Sequence, residues 1–120
     1  MAKELHNDVF DAALQKIATA TKLSFCVNQP ANYAAISGER IIEAALASGE
    51  FTIANGDVSG RKITVHAQTG MTPSANGTVG WAVLDDGSTL LAATSVTSQA
   101  VTTSQTWDSP AFDIELTDPT

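Results

Sequence analysis

The chain has 120 residues, with 6 Lys plus Arg set against 13 Asp plus Glu, a formal charge of −7 and a pI near 4.4. That length suits one domain with its own core, and the charge argues against a nucleic-acid partner, because phosphate binding needs a basic stripe and none is visible. A single cysteine, Cys26, excludes an intramolecular disulfide, and no apolar run approaches a membrane span or the core of a signal peptide.

The first predicted element is a helix. Val9, Phe10, Ala13, Leu14 and Ile17 recur at helical spacing, with Asn7 as N-cap, Asp8 and Asp11 towards the positive end of the dipole and Lys16 towards the negative end. One apolar stripe means one buried face, packed either on the chain's own sheet or on a neighbouring chain. Lys22 to Val27 reads as a short strand that Asn28-Gln29-Pro30 ends. Residues 31 to 40 read as a surface loop anchored by Tyr33 and Ile36. Glu39 to Ala47 has helical propensity but is read as extended, and Phe51 to Ile53 as a strand before the turn Ala54-Asn55-Gly56-Asp57.

Arg61 to Gln68 alternates Ile63, Val65 and Ala67 against Lys62, Thr64 and His66, the period of a half-exposed strand. Thr69 to Gly77 has loop chemistry. Thr78 to Leu84 and Thr89 to Val96 then form an antiparallel hairpin across Asp85-Asp86-Gly87-Ser88, since Asp-Gly between apolar runs is a strong hairpin signal. Val79, Trp81 and Val83 are expected on one face, Ala82 and Leu84 on the other. A hairpin apolar on both faces belongs in the middle of a packed β domain. Gln99 to Thr106 reads as a further strand, and Phe112 to Leu116 as the last, with Phe112, Ile114 and Leu116 inward. The expected fold is mainly β: an antiparallel β-sandwich of about 7–8 short strands with one N-terminal α-helix. A single domain spans 1–120, with 1–21 as N-terminal arm and helix and 22–117 as the sandwich.

Catalytic chemistry is sparse. His6 and His66 stand apart, without companions at metal-ligand spacing, and read as exposed histidines. Asp85-Asp86-Gly87-Ser88 lacks the ligand spacing and closing Glu of a calcium loop and reads as a turn. Asp108, Asp113, Glu115 and Asp118 offer carboxylates to a glycosidase reading, but nothing marks one acid as buried. Cys26 sits among strand residues, with no helix start or cation beside it, and reads as a structural thiol. Trp81 reads as core, and Trp107, in the polar TSQTWDSP, as either core rim or contact residue. No catalytic, metal or cofactor site is expected.

The helix NDVFDAALQKIATATKL, the strand FCV, the loop ending QPANY, the segment SGEFTIANGDVSGRKITV, the hairpin GTVGWAVLDDGSTLL, the run TSQAVTTSQTW and the ending PAFDIELTDPT together resemble a family of small β-rich virion structural proteins of tailed bacteriophages and prophages. The resemblance covers nearly the full length. It implies a non-enzymatic virion component; within that reading, an acidic β domain of this size with an N-terminal helix available for docking suits a head decoration or cement protein on the outside of the capsid, made in the host cytoplasm. Its partners would be the major capsid protein and copies of itself, with trimers favoured at three-fold positions and with no nucleic acid or membrane partner. Expected contact residues are Lys3, Leu5, Phe10, Leu14 and Trp107. A tail or fibre component is the alternative, and a carbohydrate-binding module stacking sugars on Tyr33 and Trp107 a third reading.

Overall fold

The structure is a computed structural model and describes residues 5–117. It is mainly β, with two helices longer than a single turn, a 3₁₀ turn at Ser48–Glu50 and nine strands among the described residues. In order these are α1 (Asn7–Ile17), β1 (Lys22–Cys26), α2 (Tyr33–Glu39), β2 (Arg40–Ala45), β3 (Phe51–Asn55), β4 (Arg61–Val65), β5 (Gln68–Met71), β6 (Gly77–Asp85), β7 (Leu90–Val101), β8 (Trp107–Ser109) and β9 (Phe112–Leu116). All pairings are antiparallel, in a four-stranded sheet β2-β1-β6-β7, a three-stranded sheet β3-β4-β9 and a two-stranded ribbon β5-β8.

The core explains the layering. β1 is buried on both faces, as a central strand covered on both sides must be. Leu23 and Phe25 point into the main cluster with Ile42, Val79, Ala82 and Leu84 from their own sheet and Val65 from β4, with Phe112 and Ile114 of β9 packed at its margin. The two sheets therefore close on one core, in a sandwich-like arrangement. On the opposite face, Cys26 and Val83 meet Ile36 of α2, with Trp81, Leu90 and Ala93 packed around them.

Helix α1 forms where its periodicity places it and packs on this chain's own β4 and β7, which answers the question its apolar stripe left open. Phe10 and Leu14 are buried, at 5% and 0% exposure, while Ala13 is exposed and Val9 is 55% exposed. The N-cap is His6 rather than Asn7: the His6 imidazole Nδ1 accepts from the Asp8 N–H at 3.1 Å. The Arg61 guanidinium of β4 donates to Asp11 at 2.7 Å, which ties the helix to the three-stranded sheet.

Several expectations need correction. Residues 31 to 40 are not simply a loop, because Asn32 caps α2 by accepting from the Ala35 N–H at 3.0 Å and Ile36 fixes the helix by burial. The helix-like Arg40 to Ala45 is extended, as read, because both its edges are engaged: β1 pairs with it along its length, and the Ser74 N–H donates to the Ile41 carbonyl. Two short strands pair with one another where none was read: β5 starts on the last residue of the Arg61 to Gln68 strand and runs into the loop from Thr69, and β8 lies between the segments read to Thr106 and from Phe112. Gln99 does not start a new strand, since β7 runs unbroken from Leu90 to Val101. The expected facing of β6 also fails at Gly80. Val79 opposes Gln99 but Trp81 opposes Ser95, so β7 carries two extra residues there and the pairing is irregular around Gly80, where β6 departs from simple alternation. Val79 thereby joins Ala82 and Leu84 in the main core, and Trp81 and Val83 turn to the other side.

Candidate functional site: the β7 edge and the groove beside it

The turn between β6 and β7 is closed by local hydrogen bonds, with the Asp85 Oδ2 at its start buried and without a hydrogen-bond partner among the described residues. Asp86 accepts from the Ser88 and Thr89 N–H groups at 3.0 and 2.8 Å, and Gly87 supplies a positive φ of 95°. The N–H groups of Thr89 and then of Ser88 hold the Asp86 carboxyl below the usual carboxylate range. This is a locked hairpin turn, and its function is to launch β7.

Among the described residues β7 lies at the edge of the four-stranded sheet, with β6 as its one strand neighbour. Apart from its ladder with β6, no backbone hydrogen bond to another described residue involves residues 91 to 100. Ser95, Thr97, Ser98, Gln99 and Ala100 are exposed, and in the bulge the ladder passes over Val96, Thr97 and Ser98. From Gly87 to Trp107 the sequence has no Asp, Glu, Lys, Arg or His. A long uncharged edge thus sits on a chain of net charge −7.

Beside this edge, a groove of about 310 Å³ opens between residues 94 to 99 of β7 and the β8–β9 segment. Phe25, Trp107 and Phe112 supply its apolar walls. Trp107 is half-buried and stands edge-to-face on Phe25, with ring centroids 4.3 Å apart and planes at 77°. It is placed by the pairing of β8 with β5, where Met71 opposes it. Trp107 is therefore both core rim and groove wall.

Asp108 and Asp113 also line the groove. Asp108 accepts from the Gly70 N–H at 2.8 Å, and Asp113 accepts from the Thr64 hydroxyl at 2.6 Å and from Lys62 at 3.4 Å. The Thr64 hydroxyl and then the Lys62 ammonium hold the Asp113 carboxyl below its usual range, against a smaller opposing effect of burial. A glycosidase general acid needs the opposite shift. Glu115 is engaged by the Asp57 N–H, and Asp118 lies outside the described residues.

Of the sequence-derived contact residues, Leu5 is 41% exposed, Trp107 borders the groove, and Lys3 lies outside the described residues. Phe10 and Leu14 need correction, since burial in the chain's own core removes both from any contact surface. Tyr33 is exposed but borders a separate open depression with Ser88, Thr89 and Leu90, so it does not share a site with Trp107. His66 is exposed and bonds Thr52 at 2.8 Å. Cys26 is fully buried, and burial pushes its thiol up to about 11, against the pull of the Arg40 guanidinium and with the help of Glu39. Among the described residues no group of three or more His, Cys, Asp or Glu is arranged to hold a metal ion, and no helix is long and apolar enough to cross a membrane. What sequence reasoning missed is the β7 edge, because its openness depends on strand order.

Comparison with protein-family models finds no match, and comparison with curated proteins and with solved structures finds none either.

Proposed function

We propose that this chain is a non-enzymatic structural component of a tailed-phage virion, a head decoration protein that binds the outside of the capsid lattice in many copies. The reading rests on the likeness to the phage family set out above. The structural observation that favours it is the combination of an acidic body with one uncharged, open-edged ribbon flanked by an apolar groove. Such a body repels its own kind and other acidic proteins everywhere except where a specific contact is built. Its elongated form, 51 × 25 × 24 Å, suits a part that bridges neighbouring subunits rather than enclosing a substrate. Many weak repeated contacts then add up across a lattice. The mechanism is binding alone.

Copy number in purified virions, measured by quantitative mass spectrometry against the major capsid protein, tests the proposal. A ratio near one to one or one to three supports it. A few copies to a few dozen per particle would move the chain to the tail or a fibre, and absence from the particle would end the structural reading.

The groove favours a second reading, a carbohydrate-binding module, because Trp107 and Phe112 are apolar walls beside the polar side chains of Gln99 and Asp108. Glycan binding abolished by Trp107→Ala, in a variant that keeps its fold, would favour this reading over the first.

A further inference from the structure

We propose that β7 is a homotypic contact strand, and that two copies of this chain join by antiparallel pairing of their β7 edges about a two-fold axis into one continuous eight-stranded sheet. The inference goes beyond the capsid assignment and does not depend on it. An open strand edge presents a row of backbone N–H and C=O groups that template pairing with another strand. Soluble proteins blunt such edges with lysine, proline, short length or a covering segment. β7 is twelve residues long and has neither lysine nor proline; α1 packs on part of it and a bulge interrupts it, while Ser95 and residues 97 to 100 stay exposed. In that bulge Val96, Thr97 and Ser98 have no register partner on β6.

Charge selects the occupant. Two copies of a −7 chain repel over most approaches, and the repulsion is least where the surface lacks ionisable groups. The stretch from Gly87 to Trp107 has none, and it contains the open edge. Antiparallel pairing of identical strands is isologous, so it uses each edge once and closes at the dimer without growing a fibre. The other edge of the same sheet, β2, already receives the Ser74 N–H at the Ile41 carbonyl. The groove alongside β7, which Asp108 and Asp113 also line, offers an incoming strand the apolar walls of Phe25, Trp107 and Phe112 to cover in addition to backbone bonds.

The test is sedimentation velocity of the full-length chain from about 1 µM to about 1 mM, the range in which weak interfaces equilibrate. The expected result is a reversible shift from 12.5 kDa to twice that mass. Thr97→Pro removes a donor from the edge, and Thr97→Lys places like charges near each other in the pair. Both should weaken association at least about tenfold with the circular dichroism spectrum unchanged, and the lysine variant serves if the proline variant fails to fold. Val58→Lys, at the 95% exposed tip between β3 and β4, should leave association intact. A chain that stays monomeric throughout, or a dimer that survives Thr97→Lys, overturns the proposal. So does a dimer lost in Val58→Lys, which would place the contact on that tip, while a trimer would show that the contact is not two-fold.

Discussion

In the sheet β3-β4-β9, Arg61 holds Asp11 and Asn55 while Lys62 lies between Asp57 and Asp113, whereas the adjoining β7 carries no ionisable side chain along its twelve residues. The first region directs its polar capacity inward, to α1 and to its own strands. The second has, among the described residues, a strand neighbour on one side alone. Surface ion pairs contribute little each, so their value in the first sheet is geometric: they fix α1, the 56–60 tip and β9 relative to one another. On β7 the absence of charge keeps an edge open to another strand. Both regions rest on the same core, through Phe25 and Val65.

Breaking that shared core should have the largest effect. Phe25→Ala removes a fully buried ring and the edge-to-face contact with Trp107, and is expected to cost about 3–5 kcal/mol in denaturant unfolding. It should loosen both regions together. Gly60→Ala should act on the charged sheet alone. Gly60 has φ 69°, and a Cβ there would lie 1.8 Å from the Leu116 carbonyl oxygen, so a loss of about 2 kcal/mol or more is expected from strain and displacement of β9. Asp11→Ala removes the partner of Arg61 from a half-buried pair, and should cost about 1–2 kcal/mol while speeding amide exchange in α1. Association through β7 should survive it.

The smallest expected effect is the pH response. Asp113 has its folded-state pKa lowered from 3.8, so its contribution is present above that value and is lost as pH falls through the lowered one. Lys62 is raised from 10.5 by its hydrogen bonds to Asp57 and then to Asp113, so its contribution is present below 10.5 and is lost as pH rises through the raised value. Thermal stability should therefore fall on the acid side below about pH 4 and on the alkaline side above about pH 10.5. Asp113→Asn should flatten the acid limb and Lys62→Met the alkaline one.

Much of the fold was legible in local pattern. The alternation of Ile63 with Val65, the Asp86-Gly87 turn and the helical stripe through Phe10 and Leu14 each led to the right element, because burial of one face and turn chemistry are local demands. The rest depended on partners distant in sequence. Helix α2 has seven residues, too few for periodicity to declare it, and is held by the Asn32 cap and the burial of Ile36. The strands β5 and β8 exist by pairing with each other. The facing of Val79 departs from alternation where the pairing with β7 is irregular at Gly80, and that irregularity is set by the partner strand as well as by β6. For the candidate site, Trp107 stood out as an aromatic in a polar run. The uncharged stretch after Gly87 acquires meaning only once strand order puts β7 at an edge.

The contrast between the two regions is tested most directly by amide hydrogen exchange at low and high protein concentration. Amides of central strand β4, such as those of Ile63 and Val65, should exchange slowly at both. Those between Ser95 and Ala100 that β6 does not hold should exchange fast in dilute protein and slow markedly in concentrated protein, as a second copy covers them. Exchange in that stretch that is indifferent to concentration, or already as slow as β4 in the dilute monomer, would contradict the account.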